Sequence, residues 1–90
     1  MSQIKKQACA GTMESSDTYV EIEPAEELQI EIESAVYAQF GESIRCAAQE
    51  VLREDSVEKA RVQIVDQGAL DCVIRARVET AIRRGMEDIA

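Results

Sequence analysis

The feature that most constrains this chain is a change of hydrophobic period part-way along it. Residues Thr18 to Glu23 and Leu28 to Glu33 alternate apolar and polar. Alternate side chains of a strand point to opposite faces, so Val20 and Ile22 share one face of the first segment, and Leu28, Ile30 and Ile32 share one face of the second. Glutamates fill the opposite faces, as in strands with one side in water. Pro24 and Ala25-Glu26-Glu27 leave room only for a tight connection, which predicts an antiparallel hairpin of these two strands. From Ser34, a candidate N-cap, the period becomes helical: Val36, Phe40, Ile44, Ala47, Ala48, Val51 and Leu52 fall on one side, and Arg53-Glu54-Asp55-Ser56 ends the run. Ala60 to Val65 alternates again, Asp66-Gln67-Gly68 turns the chain, and a second helix from Ala69 carries Leu70, Val73, Ile74, Val78, Ala81 and Ile82 on one side. A weaker strand within Ile4 to Thr12 turns at Glu14-Ser15-Ser16-Asp17 into the Thr18 strand. The order predicts an α+β fold: a two-layer sandwich, a mainly antiparallel sheet with two helices on one face.

Ninety residues (1–90) make a single domain, and with only Tyr19, Tyr37 and Phe40 as aromatics its core has to be aliphatic. The net charge of −8 lies in one place. Glu14 to Glu33 holds eight acids and no base, while the other residues hold ten of each. Such a field repels nucleic acid and anionic membrane and steers encounters with basic protein surfaces; it also suits a plain solvated face. No segment approaches membrane-spanning length, and residues Met1 to Ala8 lack the long apolar run of a secretion signal. Cys9, Cys46 and Cys72 form no CxxC pair and no intrachain set, which points to a reducing, cytoplasmic setting; Cys46 and Cys72 fall in the helical apolar patterns and are expected to act as small hydrophobes.

The chain has no histidine. Ser15 and Ser16, in the turn Ala10-Gly11-Thr12-Met13-Glu14-Ser15-Ser16-Asp17, therefore have no imidazole to take a proton, and a nucleophilic serine of the usual kind cannot be built. A serine on a turn without a base suits modification by another enzyme. The same residues also suit an ordinary turn, because Thr12, Ser15, Ser16 and Asp17 all bond neighbouring amides. Solvent-facing glutamates in alternating strands have no burial to shift their pKa values, so they give no acid–base pair. Asp66-Gln67-Gly68-Ala69-Leu70-Asp71-Cys72 reads as a strand end, a glycine turn and a helix start. The residues alone stop at an acidic α+β domain.

Taken together, residues 10–17, Gln39-Phe40-Gly41, the stretch from Asp66 to Cys72 and Arg75-Ala76-Arg77 resemble the acyl carrier (gamma) subunits of citrate lyase, in order and over nearly the whole length. The resemblance implies a non-catalytic carrier in a lyase complex. Its cofactor would be 2'-(5''-phosphoribosyl)-3'-dephospho-coenzyme A, joined covalently through a phosphodiester to Ser15. Ser16 is the weaker candidate, because glycine occurs at that position in relatives. The implied partners are a transferase (alpha) subunit, a lyase (beta) subunit and the transferase that attaches the prosthetic group. The arm's thiol would hold acetyl and citryl thioesters while citrate is cleaved to acetate and oxaloacetate. The helical fatty-acid carriers, with their Asp-Ser-Leu motif, are not matched. Other readings are the carrier subunit of malonate decarboxylase or of citramalate lyase, and an unmodified acidic module that binds a basic partner; an independent enzyme is the weakest.

Overall fold

The computed structural model describes residues 4–34 and 37–87. Strand β1 (Ala8–Ala10), β2 (Thr18–Pro24) and β3 (Gln29–Ser34) are followed by α1 (Tyr37–Glu54), β4 (Ala60–Asp66) and α2 (Asp71–Met86). The four strands form one sheet in the order β1-β2-β4-β3. β1 and β4 both run antiparallel to β2, and β3 runs parallel to β4. α2 packs on β1 and β2, α1 packs on β3, and the helices pack on each other. The expected two-layer α+β sandwich is therefore the observed one.

The predicted hairpin is not formed. β4 lies between β2 and β3, with Glu21 opposite Gln63 and Gln63 opposite Glu31. A direct β2–β3 pair would have set glutamate rows side by side, and facing like charges destabilise a sheet. Insertion of β4 puts Arg61 between them, 3.4 Å from Glu23 and 3.0 Å from Glu31. Gln63 donates to the same Glu31 carboxylate at 3.0 Å. These contacts, from Gln63 first and then Arg61, hold Glu31 below the usual carboxylate range and raise the guanidinium of Arg61. The connection between β3 and β4 is α1, which the parallel pairing requires.

One face of the sheet is dry. Val20, Ile22, Val62 and Ile64 are buried under Ile44, Ala47, Ala48, Leu52, Ile74, Val78, Ala81 and Ile82, and the core is aliphatic as expected. Ile30 and Ile32 of the edge strand β3 are half-buried, and Leu28 lies before β3 and is exposed. Helix α1 ends where the sequence places its end: Val57 N–H donates to Leu52 O and Ser56 N–H to Arg53 O, with Ser56 at φ 57°. That is a Schellman ending with serine in glycine's usual place.

Three expectations are corrected, those for Phe40, Cys46 and Cys72, and two others fall on or beside residues outside the described ones. Ser34 closes β3 and its hydroxyl donates to Asp66 at 3.0 Å; the cap expected of it falls at positions 35–36, outside the described residues. Val36, expected on the helix stripe, lies outside the described residues. Phe40 shares the stripe of Ile44 but sits one turn nearer the helix start and is 51% exposed. Cys46 and Cys72, with Cys9, are exposed. Cys46 follows Ile44 by two positions and Cys72 precedes Ile74 by two; at about 100° per residue they point away from the core.

Gly11 and Gly68 have positive φ, 90° and 85°. A Cβ on Gly11 would stand 1.8 Å from the Thr18 carbonyl oxygen, whereas one on Gly68 meets nothing within 4 Å. Gly11→Ala should therefore cost about 2–4 kcal/mol through backbone clash and strain, and Gly68→Ala only about 1 kcal/mol through strain. Urea midpoints of the two variants check this order.

Candidate functional site

Ser15 and Ser16 are the central residues of a β-turn from Glu14 to Asp17, closed by an Asp17 N–H to Glu14 O bond of 3.1 Å. Both are exposed, and no hydrogen bond to the Ser15 hydroxyl forms among the described residues. Ser16 sits at φ 65°. Glycine takes that conformation freely and serine at some cost, so position 16 is set by backbone geometry.

Asp17 holds the turn in place. Its carboxylate accepts from Thr12 Oγ1 at 2.7 Å, from the Thr18 amide at 2.7 Å, and from Arg77 Nε and Nη2 at 3.0 and 3.2 Å. The Thr12 hydroxyl also accepts the Glu14 amide at 3.2 Å. The hydroxyl of Thr12, the Thr18 amide and the Arg77 guanidinium all favour the ionised carboxylate, so its pKa is pulled down to about 2. The ion pair with Arg77 ties the loop to α2 across sixty positions of sequence.

The turn is also stitched to the strand–helix junction that the sequence marks as its second distinctive stretch. Ser16 N–H donates to Gln67 O at 2.7 Å, and Gln67 N–H donates to Asp17 O at 2.9 Å. Beneath them Asp66 is 1% exposed. Its carboxylate accepts from Thr18 Oγ1 at 2.6 Å, Ser34 Oγ at 3.0 Å, Gly68 N at 3.1 Å and Ala69 N at 3.0 Å. Burial alone would raise its pKa; the hydrogen bonds from Thr18, Ala69, Gly68 and Ser34 outweigh it and hold the carboxyl below the ordinary value. A buried charge is stable only when paired in this way. Sequence reasoning read residues 66–72 as a plain junction and missed Asp66. Its one signal is a carboxylate that continues the inward alternation of Val62 and Ile64.

The two arginines of Arg75-Ala76-Arg77 divide the work. Arg75 bonds Asp71 and Glu50, each at 2.7 Å, and so joins the start of α2 to α1. Arg77 holds Asp17. Arg84 adds a third link, donating to Cys9 O at 2.8 Å. At the end of the sheet where both helices begin, an apolar groove of about 540 Å³ is lined by Phe40 and Ile44 of α1, Ile74 of α2 and Leu70 just before α2.

Chemically, this end presents an exposed primary hydroxyl on a hydrogen-bonded turn with no histidine beside it. No group of three or more His, Cys, Asp or Glu placed to hold a metal occurs among the described residues. An alkyl phosphodiester fits the Ser15 position, since the hydroxyl points from an exposed turn and nothing packed beside it needs to move.

The family model described as malonate decarboxylase delta subunit (MdcD) matches residues 5–85. A citrate lyase acyl carrier protein of Treponema denticola is 49% identical over 85 residues, covering 94% of this chain and 98% of that protein. One of Escherichia fergusonii is 49% identical over 87 residues, covering 94% and 90%. A chain in the crystal structure of a Pseudomonas malonate decarboxylase hetero-tetramer in complex with malonate superposes with a TM-score of 0.80 at 21% identity, over 92% of this chain and 87% of that one. That last likeness shows a common fold.

Two outcomes test the site's construction. Asp66→Ala leaves Thr18 Oγ1 and two amides without an acceptor, and should cost about 3 kcal/mol or more in chemical denaturation. Asp17 has a folded pKa of about 2 against 3.8. The unfolded chain therefore binds the extra proton between those values, and the contribution of Asp17 is complete above pH about 4 and is lost as pH falls towards 2. Unfolding midpoints of Asp17→Asn and the parent chain should converge across that window and stay apart above it.

Proposed function

This chain belongs to the citrate lyase acyl carrier protein family, and from that premise we propose that it is the carrier subunit of a citrate lyase complex, with Ser15 as its point of attachment. The observation that carries the reading is the Ser15 turn: an exposed hydroxyl, no histidine, and a backbone held by Asp17, Arg77 and Gln67. The identity of nearly half the residues with carriers of that name, over nearly the full length of both chains, supports the substrate class. The attached group is 2'-(5''-phosphoribosyl)-3'-dephospho-coenzyme A, in phosphodiester linkage to Ser15 Oγ. When bound, it supplies a thiol that carries acetyl and citryl as thioesters.

The chain's own residues do the positioning. The turn presents Ser15 outward, so that a modifying transferase can reach Oγ and supply the base that the carrier lacks. Asp17 and Arg77 keep the attachment point fixed on α2 while the arm moves, which confines the thioester to a small volume at high effective concentration. The partners are the transferase (alpha) and lyase (beta) subunits, where bond making and breaking take place; the carrier is non-catalytic. The acidic run from Glu14 to Glu33 begins beside the attachment point and continues along β2 and β3, and it suits basic surfaces on the partners. Among the described residues no helix is long and apolar enough to cross a membrane, and a cytoplasmic complex suits three unpaired thiols.

A malonate decarboxylase carrier is the second reading, supported by the matching family model and the shared fold. The higher identity to citrate lyase carriers favours the first.

The test is the intact and fragment mass of the chain from cells fermenting citrate, together with complex activity. A coenzyme-A-like phosphodiester on Ser15 is expected, with citrate cleavage lost in Ser15→Ala and kept in Ser16→Ala. Cleavage at the parental rate by a complex assembled with Ser15→Ala would overturn the assignment.

A further inference from the structure

The groove between the helix starts has no part in the attachment chemistry, yet its walls are built against the ordinary preferences of the elements that form them. Phe40 is 51% exposed and Leu70 72%, and both line it. Leu70 occupies the N-cap of α2 and makes no side-chain capping bond. A serine or aspartate there would typically stabilise the helix by about 1 kcal/mol, so position 70 forgoes a cap and exposes an apolar side chain instead. Exposed apolar side chains gathered around a concavity mark a binding surface, and about 540 Å³ is the size of a small-molecule site.

Its place relative to Ser15 narrows the occupant. The groove wall includes Asp66 and Gly68, and Gln67 between them exchanges two backbone hydrogen bonds with Ser16 and Asp17. One hydrogen-bonded unit thus carries both the attachment turn and the groove. We infer that the groove is a resting site for the pantetheine portion of the arm on Ser15, its amide-linked, dimethyl-bearing chain lying between Phe40 and Leu70. This rests on Ser15 carrying the arm. A tethered ligand reaches millimolar effective concentration, so a shallow, partly open groove can hold it and still release it to a partner's active site. Two carboxylates line the groove: Asp66 is already met by four donors and Asp71 is paired with Arg75 at 2.7 Å, so neither sets a charge requirement on the occupant.

The experiment compares the unloaded chain with enzymatically loaded chain, its single adduct on Ser15 verified by fragment mass, using amide and methyl NMR. Expected are amide shifts at Phe40, Ile44, Gly68 and Leu70, and nuclear Overhauser contacts from the arm's geminal methyls to the Phe40 ring. Both should vanish in loaded Leu70→Asp and loaded Phe40→Ser, which alter exposed side chains and keep the fold. Shifts confined to the Ser15 turn, with no methyl contact to Phe40, would overturn the inference and leave the carrier reading intact. Shifts at Phe40 and Leu70 that arise only on adding a partner subunit, equally with unloaded chain, would also overturn it. A native chain without an adduct on Ser15 overturns both, and the mass spectrum reveals that before any NMR is recorded.

Discussion

The buried carboxylate of Asp66 is the constraint on which the rest of the structure depends. It sits at the end of the central strand and accepts from β2 through Thr18, from the end of β3 through Ser34, and from the turn into α2 through Gly68 and Ala69. Three strands and one helix start are therefore held at a common point. An apolar residue there could fill the space but could not order the amides of residues 68 and 69. A carboxylate can, and its burial makes each bond stronger.

From that point the order propagates outward to the serine turn. Thr18 is fully buried and fixes the start of β2; Asp17, one residue earlier, takes Arg77 and Thr12; the turn itself closes on Gln67. Two carboxylates in succession thus do different jobs. Asp66 is sealed inside and sets the backbone, and Asp17 lies at the rim and anchors the loop to α2. Ser15 inherits a defined position although no hydrogen bond forms to its own hydroxyl among the described residues. That suits the proposed modification of Ser15, since a fixed site costs less ordering when a partner binds it.

The acidic half of the chain shows how charge can decide topology. Glutamates on both β2 and β3 face water, and they tolerate one sheet only because β4, with Arg61 and Gln63, runs between them. The same arrangement leaves the acidic run exposed along the β2 and β3 side of the sheet.

Periodicity in the sequence was enough to establish the elements, the aliphatic core face and the two-layer class, because alternation and helical spacing are local properties. The resemblance of residues 10–17 and 66–72 was likewise legible, as was Ser15 as a hydroxyl with no base. The neighbours of each strand were not, since alternation gives a strand its faces but not its partners; pairing was decided by the glutamate rows and the α1 crossover. Nor could linear reasoning show that two motifs fifty residues apart form one site, or that Phe40 continues a core stripe beyond the core. Those facts depend on where β4 ends and both helices begin, and only the packed sheet brings Asp66, Gln67 and Arg77 up against the Ser15 turn.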